Sequence, residues 1–408
     1  MALSGSPRVA LSGGLRAGLF GGLRSRGALT ALESQMRAVR KAAVLAAVLL
    51  AAVPVLTVQP AWAETMRDRQ WYLKTLDVAA AQQVTAGDGV VVAVLDSGVG
   101  THPDLDGQVL DGTSFVGEPG SFRTDNAGHG SSMAGIIAAK GGSADHLLGI
   151  APKAKILPVR ISAGGTAIGA TNVADGIRWA VDHGAKVINI STGGTVIERT
   201  AEDAVRYALD HDVVVIAGSG NASQFPSGSG VLAPARFPGV VAVSAIDRDG
   251  NAWDGAIRGP EVVLTAPGVA IPVISASGGG RVVGYYPSSD GTSAATAVVS
   301  GAAALIRAKY PQLPAKDVIQ RLIATADDAG APGRDPDYGY GRLNLVKALT
   351  TDVPAVPSNP LLAASPTTGA AGGKADGGVD LVLVAAGAGF VVLLVAVLGG
   401  WLLLRRRT

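Results

Sequence analysis

The sequence predicts an α/β domain whose mainly parallel sheet is doubly wound, with helices packed on both of its faces. Between residues 70 and 350, short β-branched runs alternate with stretches of helical periodicity. The runs are apolar on both faces, as strands buried in a parallel sheet are. Alternation of strands and helices over this length predicts a parallel sheet with helical cover. Functional groups are then expected at the carboxyl ends of the strands.

The individual elements follow from the same two patterns, read in chain order. The predicted strands are the β-branched apolar runs 90–95, 156–160, 186–190, 213–217 and 240–244. The predicted helices have apolar residues at helical spacing and cover 130–139, 172–183, 201–209 and, after the last strand, 293–309.

The N-terminal part of the chain has the composition of a targeting segment. A basic stretch that begins at Met36 is followed by an apolar run over 42–58 and by Ala61-Trp62-Ala63. A basic start, an apolar middle and a small-x-small end are typical of a secretory signal peptide. We therefore interpret residues 1–63 as a leader and signal peptide, with translation starting at Met36 rather than Met1. An uncleaved membrane anchor is the alternative.

The C-terminal part has the composition of a tether. Residues 351–380 are rich in Pro, Ala, Gly, Ser and Thr, which predicts a flexible linker. Residues 381–404, from Leu381 to Leu404, carry no charge and exceed the ~20 residues that cross a bilayer. A buried helix is the alternative, but this run has no polar face. Because arginines stay cytoplasmic, the tail 405–408 predicts a single-pass anchor with the preceding domain extracytoplasmic.

Composition excludes several functional classes for the 408-residue chain. It has no cysteine, which excludes thiol catalysis, cysteine-ligated zinc and disulfides. The net charge of +2 gives no indication of a nucleic-acid surface. No His-Glu-x-x-His or calcium-loop motif occurs, so we expect neither a metal nor a cofactor.

Three glycine-flanked segments supply the residue types of a nucleophilic site. Asp96 directly follows the first predicted strand, His129 stands between two glycines, and Ser293 lies in Gly-Thr-Ser-Ala-Ala at the start of a helical pattern. A serine hydroxyl needs a base, and the base needs a group that fixes its tautomer. We therefore predict Ser293 as nucleophile, His129 as base and Asp96 as orienting carboxylate. Each residue alone would more often be a turn, cap or surface residue.

An oxyanion donor can also be assigned. The run 213–217 leads into Gly218-Ser219-Gly220-Asn221. The Asn221 side-chain amide and the Ser293 backbone N–H are the expected pair of donors to a tetrahedral intermediate. In isolation, Asn221 would be read as a turn asparagine.

These segments, in the order Asp, His, Ser, resemble the subtilisin family of serine proteases over roughly residues 70–350. The resemblance implies a seven-stranded parallel sheet and an endopeptidase that acts through an acyl-enzyme, in a catalytic domain spanning 64–350. Residues 187–194 resemble the strand that pairs with the substrate backbone, which makes Ser191, Thr192 and Gly193 substrate-binding residues. The Ala-Pro-Gly turn and the end of the family's catalytic domain are similar to residues 264–268 and 339–344.

The sequence departs from the family pattern at several positions. Thr192 stands where a leucine is common, Ser132 where a second histidine is usual, and Ala297 where a proline often follows the nucleophile. We expect changed packing from the last two rather than lost activity. Asp104 matches a position that binds calcium in some members, but no partner loop is apparent.

The arrangement around the catalytic segments resembles one subfamily, the mycosins of type VII secretion. Residues 64–70 leave no room for an inhibitory pro-domain, and the C-terminal anchor and basic tail complete the similarity. The resemblance implies a membrane-anchored endopeptidase that processes exported proteins, with protein or peptide substrates and a secretion complex as partners. Two alternatives remain: a structural stabiliser of that complex with secondary proteolysis, and an anchored general degradative protease.

Overall fold

The computed structural model describes residues 34–41, 64–164, 170–195, 199–276 and 283–362. The chain divides into two units, residues 1–63 and 64–408. In the first unit, residues 34–41 form a helix. Most of the predicted signal peptide and linker, and all of the predicted anchor and tail, lie outside the described residues. Within the part that is described, no helix is both long and apolar enough to cross a membrane.

The second unit is built on a seven-stranded parallel sheet. The five predicted strands are all present, shifted by one or two residues at their ends. The two further strands are a short one at the edge and one at Leu264–Pro267. The strands are β1 Val91–Asp96, β2 Thr113–Ser114, β3 Lys155–Arg160, β4 Val187–Ile190, β5 Val214–Gly218, β6 Val241–Ile246 and β7 Leu264–Pro267; a separate antiparallel pair comprises β8 Val273–Ser275 and β9 Gly284–Tyr286. Across the sheet, the strand order is β2-β3-β1-β4-β5-β6-β7.

Helices pack against this sheet in two groups, as the doubly wound prediction requires. In one pair, α4 (His129–Ala138) and α7 (Thr292–Lys309) contact each other and the sheet. In the other pair, α5 (Ala170–Asp182) and α6 (Arg199–Asp210) do the same. The four predicted helices are these four. The helices are α1 Met66–Arg69, α2 Trp71–Thr75, α3 Val78–Val84, α4 His129–Ala138, α5 Ala170–Asp182, α6 Arg199–Asp210, α7 Thr292–Lys309, α8 Ala315–Ala324 and α9 Leu345–Thr350.

The longest of these helices, α7, lies against the middle of the sheet. It contacts strands β4 to β7 and is buried along most of its length. Small residues allow this approach: a Cβ built on Gly218, the last residue of β5, would lie 3.1 Å from the Thr296 hydroxyl oxygen of α7. The position of α7 fixes the position of its N-terminus, which lies at the carboxyl edge of the sheet.

Candidate active site

Asp96 is the last residue of β1 and points its carboxylate into the protein, with only 1% of the residue exposed. The Ser97 backbone N–H donates to Asp96 Oδ1 at 2.7 Å, and the Ser97 hydroxyl oxygen lies 3.2 Å from the same carboxylate oxygen. The hydrogen bond from the adjacent backbone restricts the orientation of this buried carboxylate. The strand therefore delivers this carboxylate in a fixed position at the edge of the sheet.

His129 is the first residue of α4 and lies directly opposite that carboxylate. Its Nδ1 atom is 2.8 Å from Asp96 Oδ1 and 2.9 Å from Oδ2, so Nδ1 carries the proton and donates it. The chain enters the helix through Gly128, whose φ of 75° is in the region that favours glycine. On the other side, a Cβ on Gly130 would lie 2.2 Å from the Gly98 carbonyl oxygen. Both flanking glycines are thus needed for the close approach.

A second buried carboxylate, Asp125, supports this pair and was not identified from the sequence. Asp125 is completely buried and accepts from the Gly128 and Ser131 backbone N–H groups at 2.7 and 2.8 Å, at the start of α4. It also accepts from the Ser97 hydroxyl at 2.7 Å, the hydroxyl that contacts Asp96. The only signal in the sequence is an Asp four residues before the histidine, which is indistinguishable from a turn residue.

These carboxylates set the basicity of His129. Burial acts to lower the pKa of the imidazole, but the charge and hydrogen bond of Asp96, together with the charge of Asp125, outweigh it. The net result is a pKa raised above the ordinary value of 6.5. With 37% of its side chain exposed, the ring keeps an open edge towards the cleft.

Ser293 is the second residue of α7 and lines the same cleft as Asp96 and His129, a cavity of about 390 Å³. Its hydroxyl donates to the Ser191 carbonyl oxygen at 2.9 Å, and the Ser191 hydroxyl donates to the Ser293 carbonyl at 3.1 Å. Among the described residues, no hydrogen bond joins Ser293 to His129. The three predicted residues therefore surround one cleft, with the serine hydroxyl held by Ser191.

Asn221 lies beside the N-terminus of α7, where its side-chain Nδ2 and the Ser293 backbone nitrogen lie near the same point. Its Oδ1 atom accepts from the Thr292 backbone N–H at 3.0 Å and from the Thr292 hydroxyl at 3.2 Å. A Cβ built on Gly291 would lie 3.3 Å from Asn221 Nδ2 and 3.7 Å from the Ser293 backbone nitrogen. The missing side chain at Gly291 therefore leaves a space that both donors can reach.

The other predicted binding residues, Ser191, Thr192 and Gly193, follow β4 and line the cleft. Beyond them, Gly194 exchanges two backbone hydrogen bonds with Ala233, at 3.0 and 2.9 Å. This pairing fixes the segment at one wall of the cleft.

Asp104, the possible calcium ligand, is fully buried and its carboxylate is occupied by protein donors. It accepts from the Leu147 N–H and the Tyr285 hydroxyl, each at 2.9 Å, and lies 2.5 Å from His146 Nδ1. Burial and the carboxylate raise the pKa of Tyr285, which keeps its hydroxyl protonated as a donor. Across the described residues, no group of carboxylates and histidines could hold a metal ion.

Comparison with known proteins places the chain in a family. The Subtilase family model matches residues 87–341, more than half of the chain. The protein therefore belongs to the subtilases, a family of serine proteases. The thermostable alkaline protease of Halalkalibacterium halodurans is 37% identical over 262 residues, which cover 64% of this chain and 68% of that protein.

Solved structures of mycosins are similar as well. MycP1 from the ESX-1 type VII secretion system is 30% identical with a TM-score of 0.64, covering 75% of this chain and 91% of that one. A chain in the periplasmic assembly of the ESX-5 inner membrane complex is 31% identical with a TM-score of 0.63, covering 71% and 86%. Both the subtilisin and the mycosin resemblances seen in the sequence are confirmed.

Proposed function

We propose that this protein is a membrane-anchored extracytoplasmic serine endopeptidase that uses Ser293, His129 and Asp96. The observation that carries the proposal is the hydrogen-bonded Asp96–His129 pair, which shares one cleft with a serine at a helix N-terminus. A buried carboxylate, an imidazole and a hydroxyl in this arrangement are the three groups that acyl transfer through a serine nucleophile requires.

The reaction follows from the roles that the contacts allow. His129 takes the Ser293 hydroxyl proton on Nε2 while the serine oxygen bonds to the substrate carbonyl carbon. Asp96 accepts from Nδ1–H and stabilises the imidazolium. Negative charge develops on the carbonyl oxygen, in the space that Asn221 Nδ2 and the Ser293 N–H reach. His129 then protonates the leaving amine, and water repeats the sequence on the acyl-enzyme.

Because the Ser293 hydroxyl donates to the Ser191 carbonyl, substrate binding at this carbonyl can change the orientation of the proposed nucleophile. The Ser191 carbonyl belongs to the segment that we propose pairs with the substrate backbone. A substrate N–H that donates to this carbonyl replaces the hydroxyl, which is then free to rotate towards His129. Substrate binding and alignment of the nucleophile are thereby coupled through one acceptor.

The cellular setting is inferred from the relatives and from the two chain ends. The mycosin neighbours include a chain in the periplasmic assembly of an inner membrane complex. Residues 1–63 as leader and signal peptide and residues 381–404 as a single-pass anchor would place the catalytic domain 64–350 outside the cell membrane. Its substrates are then exported proteins, processed within type VII secretion.

A fluorophosphonate probe tests the nucleophile. The purified protein should be labelled, and Ser293→Ala should abolish labelling together with peptide cleavage. Ser289→Ala, which removes another hydroxyl from the same cleft, serves as the control and should be labelled normally. Equal labelling of Ser293→Ala and the unmodified protein would exclude Ser293.

A structural role in a secretion complex is favoured by the similarity to a component of the ESX-5 assembly. Deletion of the protein and Ser293→Ala separate the two roles. If deletion blocks export of partner proteins whereas Ser293→Ala only removes a cleavage product, the protein stabilises the complex and proteolysis is secondary. If Ser293→Ala blocks export as deletion does, proteolysis is the essential function.

A further inference from the structure

Two glycine-containing segments form the walls of a slot beside Ser293. Strands β4 and β5 are parallel neighbours, and the segments 191–193 and 218–220 lie at their carboxyl ends. Residues 191–193, Gly218 and Gly220 line the cleft. Gly193 and Gly220 contribute no side chains to the slot. Its depth is therefore set by whatever lies between the two segments at its inner end.

The inner end is closed by the segment Leu232-Ala233. The Leu232 N–H donates to the Ser219 carbonyl at 3.0 Å, and Ala233 pairs with Gly194 in both directions. These hydrogen bonds attach the segment to both walls. The backbone of residues 232–233 thus forms a floor that bridges the ends of two neighbouring strands.

The Leu232 side chain rises from this floor between the walls. A Cβ built on Gly220 would lie 2.5 Å from Leu232 Cδ1, and one built on Gly193 would lie 3.4 Å from the same carbon. Leu232 lines the cleft although only 2% of it is exposed. One methyl group therefore touches both walls and occupies the depth of the slot.

The mechanism proposed above directs into this slot the side chain of the substrate residue whose carbonyl is attacked. That carbonyl must lie at the Ser293 hydroxyl, with its oxygen near Asn221 and the same residue's N–H on the Ser191 carbonyl. Its side chain then points between the segments 191–193 and 218–220. The residue N-terminal to the cleaved bond is thus the one whose size Leu232 restricts.

We propose that Leu232 is a specificity-determining residue that limits this substrate position to small, uncharged side chains such as alanine, glycine and serine. The inference rests on the proposed protease function and adds a substrate class to it. An aromatic or long aliphatic side chain would overlap the Leu232 methyl group in a slot whose backbone walls are held by hydrogen bonds. A cationic side chain would meet apolar groups at the floor.

The test uses peptide anilides of one sequence that differ only at the residue before the cleaved bond, with the full-length protein. For the unmodified protein, kcat/KM should be highest with alanine and at least about 100-fold lower with phenylalanine, since pocket contacts discriminate by about 10- to 200-fold per methylene. Leu232→Ala and Leu232→Gly should raise the phenylalanine-to-alanine ratio of kcat/KM by at least about tenfold.

Leu209→Ala is the matched control. A Cβ built on Gly239 would lie 2.4 Å from Leu209 Cδ1, so Leu209 packs against a glycine as Leu232 does. Leu209 does not line the cleft. It should leave the preference ratio unchanged. Should the Leu232 variants not fold, peptide aldehydes ending in alanine or phenylalanine give the same comparison as inhibition constants of the unmodified protein.

Two results would overturn the proposal: a preference of the unmodified protein for phenylalanine or leucine, or an unchanged ratio in folded Leu232→Ala. Either result leaves the protease function intact, provided that cleavage still requires Ser293. Absence of Ser293-dependent cleavage of every substrate in the series would instead contradict the proposed function itself.

Discussion

The glycine after His129 gives a sharp test of how closely the proposed catalytic pair must be positioned. Gly130→Ala would place a Cβ 2.2 Å from the Gly98 carbonyl oxygen and 3.0 Å from the Asp96 Cβ atom. Ordinary contact needs roughly 3.5 Å, so the start of α4 must move by about 1 Å away from β1. That movement lengthens the contact between His129 and Asp96. A misplacement of about 1 Å costs on the order of 10² in rate, and overpacking costs about 1–3 kcal/mol of stability.

The assay is kcat/KM on a peptide anilide together with the free energy of unfolding in denaturant, both on the purified protein. Gly120→Ala is the control, because a Cβ there has nothing within 4 Å and meets no backbone. We expect Gly130→Ala to lose about 100-fold in kcat/KM while remaining folded, and Gly120→Ala to lose neither activity nor stability. Activity of Gly130→Ala within a few-fold of the unmodified protein would refute the claim that this contact positions the base.

Two further predictions concern the charges that develop during the reaction. Asn221→Leu removes the Nδ2 donor and should lower kcat by about 10²–10³, the cost of losing such a donor in subtilisin, with little change in KM; kcat within threefold of normal would exclude Asn221 as an oxyanion donor. The kcat/KM should rise with pH as His129 loses its proton, at a pH above its ordinary pKa of 6.5, because Asp96 and Asp125 favour the charged form. Asp125→Asn removes one of these charges, lowers the pKa of His129 and should move the acidic limb of the pH profile to lower pH; a limb at unchanged or higher pH would contradict this role.

Those features of the fold that depend on local patterns could be predicted from the sequence. The strands are continuous β-branched runs, because a strand in the middle of a parallel sheet is buried on both faces. Asp96 and Ser293 are candidates from the sequence because Asp96 stands at the end of a predicted strand and Ser293 at the start of a predicted helix. His129 was identifiable from its two glycines, which the close approach to Asp96 and Gly98 requires.

Features that depend on contacts between distant segments could not be predicted. Residues 264–268 resemble an Ala-Pro-Gly turn in the sequence, and the strand Leu264–Pro267 within them forms through its pairing with β6. The partners of Asp104 include Tyr285, far along the chain. Asp125 acquires its role only when Ser97 is brought against it by the fold. None of these relations leaves a periodicity or a spacing in the sequence.

The proposed slot and the hydrogen bond of the Ser293 hydroxyl together determine which part of a substrate supplies the binding affinity. A small side chain buries little apolar area, and each 100 Å² contributes only about 2.5 kcal/mol, so the slot contributes little to binding. On the proposed binding mode, affinity would then come from the substrate backbone along residues 191–193, the same segment whose Ser191 carbonyl accepts the hydrogen bond of the Ser293 hydroxyl. A peptide that pairs poorly with this segment therefore loses both binding and release of the hydroxyl. If both proposals hold, the protein should select extended segments with a small residue at the cleaved bond, and such selection suits cleavage at defined sites better than general degradation.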